Sequence, residues 1–265
     1  MKYFLGFIGC GNMGGALVRA AAKSVDPKKI AVCDFDAEKV LKYENELGVV
    51  GTAAKEIAAH AKFIVLGVKP QMMQNALSEI ADVLKNRSDV VLITMAAGLS
   101  ISAIRTYAGK AFPTVRIMPN TPVTLGVGMV LYACADVSDE DEQAFLSAFY
   151  EAGVLDKIPE EDIDAGSALS GCGPAFVYAF AKALAKGGEE CGVPKEKAEL
   201  YAAQTLLGAA KMLLAYGDPD TLIRNVCSPG GTTIEGMKAL EKNDLSGVAS
   251  SAVKAAYKRT LELKK

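Results

Sequence analysis

Short apolar runs alternate with amphipathic stretches through the first part of the chain, and the remainder carries helical periodicity alone. Lys2 to Ile8 predicts a strand and Ala16 to Ala22 a helix. Ile30–Cys33 predicts a second strand, and Ala37–Leu47 a helix with its charges on one face. Val49-Val50 and Thr52–His60 read as a short strand and a short helix. Phe63–Val68 and Val90–Met95 are unbroken apolar runs, the pattern of strands covered on both faces. Helices over Met72–Leu84 and Ser100–Tyr107 follow them. Val115–Met118, Gly128–Ala133 and Val154–Ile158 predict late strands at the sheet edge. Between the last two lies a helix, Ser138–Phe149, with a serine cap and an acidic first turn. This alternation predicts an α/β domain: a parallel, doubly wound sheet with right-handed crossovers.

From Asp162 onward no strand pattern remains. Helices are expected over Pro174–Cys191, Pro194–Ala215, Asp218–Val226, Thr232–Leu240 and Ser246–Leu263. The expected division is therefore 1–160, the sheet domain, and 161–265, an all-α domain. Phe176, Tyr178, Phe180, Leu200, Leu207 and Leu214 fall around much of the helix circumference. So many apolar faces exceed what these helices can cover for one another, which predicts burial against a second copy of the chain.

Composition narrows the function. Among 265 residues, 51% are hydrophobic and 23% charged, with a net charge of −2. No dense basic block stands out, so neither nucleic acid nor a membrane surface is an expected partner. No apolar run approaches the roughly 18–20 residues of a membrane span. The chain enters its first strand within its opening residues, so no signal peptide is expected. Six cysteines lie too far apart for a zinc spacing, and free thiols in a reducing cytoplasm are expected, with no metal. The lone histidine, His60, is expected at the surface, away from any catalytic role.

The apolar run at the start ends in Gly9-Cys10-Gly11-Asn12-Met13-Gly14. Strand, G-x-G-x-x-G turn and helix start, in that order, are what a dinucleotide's pyrophosphate requires. Gly9 permits the turn, Gly11 admits the phosphates and Gly14 lets helix and strand pack closely. Val68-Lys69-Pro70 and Ala96-Ala97-Gly98 also follow strands, and read either as further ligand loops or as plain strand-to-helix turns. Ser228-Pro229-Gly230-Gly231-Thr232-Thr233 opens a helix. It reads as an anion pocket suited to a carboxylate, or as a capped turn.

Taken with Met118-Pro119-Asn120-Thr121-Pro122 and Leu169-Ser170-Gly171-Cys172-Gly173-Pro174-Ala175-Phe176, these motifs make the whole chain resemble the pyrroline-5-carboxylate reductase family. The resemblance implies a Rossmann-like domain followed by an all-α dimerisation domain, a homodimer with scope for further assembly, and reduction of a cyclic imine to L-proline by NADPH or NADH. It implies that Gly9, Cys10, Gly11, Asn12, Met13 and Gly14 hold the pyrophosphate. Val68, Lys69, Pro70, Ala96 and Ala97 would line the cofactor, with Asn225 at the nicotinamide side. Ser228 and the N–H groups of Gly230, Gly231, Thr232 and Thr233 would bind the substrate carboxylate. The Thr233 hydroxyl would hydrogen-bond the ring nitrogen.

Two positions depart from the family pattern, and the first, Cys172 where many members have serine, is a mild swap read as a packing residue near the interface. Asp34 ends the second strand, where an acid accepts from the ribose 2′-OH of NADH and repels a 2′-phosphate, so the expected lean is towards NADH. Asp36 is the alternative inward-pointing acid. Two rival readings stay open: a β-hydroxyacid dehydrogenase-like carbonyl reductase with Lys182 or Lys186 as catalytic lysine, and a non-catalytic cofactor sensor. An imine is protonated before hydride arrives, so its reduction needs positioning more than a tuned acid, which suits a chain with a single histidine.

Overall fold

The computed structural model describes residues Met1–Glu262. Two compact units are present: Met1–Cys172 with the segment from Ala256, and Gly173–Ala255.

In the first unit the strands are β1 (Tyr3–Ile8), β2 (Ile30–Cys33), β3 (Val50–Gly51), β4 (Ala61–Leu66), β5 (Val91–Thr94), β6 (Thr114–Pro119), β7 (Gly128–Ala135) and β8 (Gly153–Lys157). They form one sheet in the order β3-β2-β1-β4-β5-β6-β7-β8. Helices α1 (Asn12–Ser24), α2 (Ala37–Leu47), α3 (Ala54–His60), α4 (Met73–Leu84), α5 (Ile101–Ala108), α6 (Asp139–Phe149) and α7 (Ile163–Ser170) accompany it. The expected doubly wound, Rossmann-like sheet is thus present. Its pairs are parallel except β6 with β7. Those two strands are joined by a single 3-10 turn, Thr121–Leu125, too short for a crossover helix.

Alternation along β4 explains its unbroken apolar run. Phe63 and Val65 enter a core shared with Leu17, Val18, Phe145 and Phe149 of α1 and α6. Ile64 and Leu66 enter a second core with Ile57 of α3, Leu77 and Ile80 of α4 and Ile104 of α5. A strand covered on both faces has no polar side to show.

Three expectations need correction. Helix α1 begins at Asn12 rather than Ala16, so Gly14 lies within its first turn. Helix α7 has no counterpart among the expected elements, being short and rich in small residues with Gly166 at its middle. Its Ile163 is buried against Met118, Leu131 and Ala133. Its Asp164 pairs with Arg116 of β6, Nη2 to Oδ1 2.6 Å, and both side chains are buried. Glu160 Oε1 lies 3.4 Å from Arg116 Nη1 and also accepts the Ile101 N–H at the start of α5. The third correction concerns membrane length. Among the described residues, one helical stretch, Glu160–Glu190, contains an 18-residue window with a mean hydropathy of 1.2, enough to cross a membrane by length and composition alone. His60 ends α3 at the surface, its Nε2 3.6 Å from Glu56.

The second unit holds α8 (Gly173–Glu190), α9 (Lys195–Tyr216), α10 (Pro219–Val226), α11 (Thr232–Lys242) and the start of α12 (Leu245–Glu262). The helix end expected at Leu263 lies outside the described residues. Helices α8 and α9 close over Ala185, Ala198 and Ala202, with Val193 beside them. Their larger apolar side chains lie outside this small core: Tyr178 is 63% exposed, Leu200 62% and Leu214 88%.

Candidate active site

The sheet order reverses at β1, with β2 on one side and β4 on the other. Open α/β sheets take ligands in the crevice beyond the strand carboxyl ends at such a point. Gly9 follows β1 with φ +95°, and a Cβ there would meet the Gly67 carbonyl carbon at 2.7 Å and the Val68 nitrogen at 2.8 Å. A Cβ on Gly14 would collide with the Gly9 carbonyl oxygen. Both glycines are demanded by the protein's own packing. Gly11 is not, because a Cβ there would find nothing within 4 Å. Gly11 is also the N-cap of α1, where no side chain caps the first-turn N–H groups. Open space at an uncapped helix start is the donor set a pyrophosphate takes, so these residues fit a dinucleotide.

Cys10 is buried, Met13 half-buried and Asn12 exposed. Burial, and after it the Asp34 carboxylate, push the Cys10 thiol up to about 12. Val68 is half-buried and Lys69 and Pro70 are exposed beyond β4, while Ala96 is buried and Ala97 exposed beyond β5. Strands β1, β4 and β5 are sheet neighbours, so all three loops emerge along the same edge.

Asp34 stands at the end of β2 with its carboxylate fixed. Oδ2 accepts the Cys10 N–H at 2.6 Å and Oδ1 accepts the Asp36 N–H at 3.0 Å. A carboxylate oxygen has two acceptor positions, so each still has room for a ribose hydroxyl. Asp36 turns the other way and caps α2 by accepting the Glu38 N–H. The one nearby cation, Lys39, lies 3.9 Å from Asp34 and 3.4 Å from Asp36 among the described residues.

Tyr43 is a residue that sequence reasoning missed. Its hydroxyl donates to the Cys10 carbonyl at 3.4 Å, pinning α2 to the glycine turn. A Cβ on Gly15 would strike that hydroxyl, which accounts for the glycine that follows the G-x-G-x-x-G motif. The one sequence signal was Tyr43's place beside Val40 and Leu47 on the face of α2 packed on the core.

In the second unit Asn225 is exposed in the last turn of α10. Ser228 and Gly230 are exposed in the following turn, with Gly230 at φ +71° and the Gly231 N–H donating to the Ser228 carbonyl at 2.9 Å. Gly231 caps α11 without a side-chain hydrogen bond, and Thr232 and Thr233 are exposed in its first turn. This corner, too, presents an uncapped helix start lined by hydroxyls. Lys182 and Lys186 are exposed on α8, Lys186 beside Glu190 at 3.6 Å.

Residues 160–263 match the family model described as pyrroline-5-carboxylate reductase dimerisation, and residues 4–98 match that of NADP oxidoreductase coenzyme F420-dependent. A pyrroline-5-carboxylate reductase of Escherichia coli is 34% identical, covering 100% of both chains. Pyrroline-5-carboxylate reductase 3 of Danio rerio is 36% identical, covering 98% of this chain and 91% of the relative. The chain belongs to the pyrroline-5-carboxylate reductase family. Among solved structures, the family member from Coxiella burnetii superposes with a TM-score of 0.91 at 33% identity, over 100% of both chains. The Plasmodium falciparum pyrroline carboxylate reductase, solved with NADP bound, superposes at 0.88 with 30% identity, again over 100% of both chains.

Proposed function

We propose that this chain transfers hydride from NAD(P)H to the C=N carbon of 1-pyrroline-5-carboxylate, giving L-proline. The observation that carries this reading is similarity over the full length to reductases of that name. The dihydronicotinamide of the bound cofactor supplies the hydride. The chain's own residues bind and orient. Gly11 and the start of α1 take the pyrophosphate, with Val68, Lys69, Pro70, Ala96 and Ala97 lining the cofactor and Asn225 at its nicotinamide side. Ser228 and the N–H groups of Gly230, Thr232 and Thr233 hold the substrate carboxylate at the start of α11, where N–H groups and helix dipole favour an anion, while the Gly231 N–H, engaged by the Ser228 carbonyl, shapes the turn. The Thr233 hydroxyl accepts the N–H of the protonated imine, keeping the C=N bond in one orientation. The ring nitrogen is protonated by water before the transfer, so no side chain needs a tuned pKa.

The fixed Asp34 carboxylate favours a free ribose 2′-hydroxyl over a phosphate, which makes NADH the preferred donor. The exposed apolar side chains of α8 and α9 support a homodimer built on the helical domain, 161–265, with 1–160 as the cofactor domain and dimers free to assemble further. The six free thiols suit a cytoplasmic location. The test is consumption of NADH and NADPH with pyrroline-5-carboxylate, followed at the nicotinamide absorbance, with proline identified as product. Absence of turnover with both donors would overturn the assignment. Activity that survives Lys182→Ala and Lys186→Ala separates it from a lysine-dependent carbonyl reductase.

A further inference from the structure

Phe35 is 102% exposed, more than any other large apolar side chain among the described residues. Aromatic side chains of this kind usually bury about 150–250 Å². The ring's exposure is built in by a fixed turn. On one side of Phe35, Asp34 is tied to the Cys10 N–H at 2.6 Å, and on the other the Asp36 N–H returns to Asp34 at 3.0 Å. Asp36 then caps α2 through the Glu38 N–H. The chain therefore fixes the backbone that presents a bare phenyl ring, one residue beyond the acid that reaches the glycine turn.

What covers this ring must suit its surroundings. Asp34, Asp36 and Glu38 are close in sequence, and among the described residues Lys39 alone lies within salt-bridge distance of Asp34 and Asp36. An anionic occupant is disfavoured here, and a neutral flat one is favoured. With the pyrophosphate at the glycine turn and the adenosine ribose at the acid ending β2, the adenine comes next along the same edge. Adenine is planar, uncharged at neutral pH and has a π face to offer.

We propose that Phe35 is the stacking platform for the adenine ring of the cofactor. Asp34 and Phe35 together form a preset adenosine subsite, one residue for the ribose and one for the base. This deepens, and rests on, the reading of the glycine turn as the cofactor site. The gain is confined to affinity, because the adenine is remote from the hydride.

The test is binding of ADP-ribose and NADH to the intact protein by calorimetry, for wild type, Phe35→Ala and Phe35→Tyr. Phe35→Ala should weaken both ligands by at least about fivefold, the low end of base–aromatic stacking, and Phe35→Tyr should restore them. The adenine-free donor, reduced nicotinamide mononucleotide, should keep its kcat/KM in the alanine variant. The chain has no tryptophan, so Phe35→Trp adds a single reporter whose fluorescence ADP-ribose should quench. A smaller loss with Phe35→Ala, an equal loss with the mononucleotide, or an unquenched tryptophan would each overturn the proposal. Each would leave the reductase assignment standing wherever wild type still turns over pyrroline-5-carboxylate. Quenching in a protein without that turnover would remove the assignment and keep the subsite.

Discussion

At the end of β2, Asp34 meets both the glycine turn and the space reserved for a ribose. Asp34→Ser is expected to lower the ratio of kcat/KM for NADH over NADPH by about tenfold, or ~1.4 kcal/mol, read from initial rates with each donor. Serine still accepts the Cys10 N–H, so the turn itself should survive the change. At α11, Thr233→Ala should cost about 1–2 kcal/mol in kcat/KM, one hydrogen bond's worth, with NADH affinity unchanged. Cys10 gives a pH signature. Its folded thiol titrates near 12, well above that of an unfolded chain. The unfolded state therefore releases this proton first, so the stability that Cys10 contributes is complete below about pH 8.5 and falls as pH rises towards the folded value. Thermal melts from about pH 8.5 to 10 should show a shallower decline for Cys10→Ala than for wild type.

Among the elements, α7 is held to β6 by a buried ion pair. Asp164→Ala would take the 2.6 Å partner from the Arg116 guanidinium, 2% exposed, and leave it Glu160 at 3.4 Å. The expected loss is about 3–5 kcal/mol in urea unfolding at fixed protein concentration. This pair marks the limit of what the sequence discloses. The strands and most helices are legible because their cause is local: β4 and β5 carry the apolar runs Phe63–Leu66 and Val91–Ile93, Ser138 caps α6, and the glycine turn has its own spacing. Helix α7 is stabilised by Ile163 and Asp164 meeting residues far off in the chain, and no local period announces it. The site divides in the same way. Gly9, Gly11 and Gly14 declare themselves in order, whereas the bond from Cys10 to Asp34 and the Tyr43 hydroxyl beneath Gly15 depend on how β2 and α2 return to the turn.

For the whole molecule, the helical unit sets the terms. The exposed Tyr178, Leu200 and Leu214 predict a dimer in size-exclusion chromatography with light scattering at micromolar concentration, and a monomer there would overturn it. A hairpin that closes over three alanines and a valine holds little free energy in reserve. In a dimer, association would supply part of what keeps α8 and α9 in place, and thermal midpoints should climb as the protein is concentrated. Dilution alone would loosen this half of the chain, so how much of the polypeptide a cell makes becomes a condition of its folding as well as of its output.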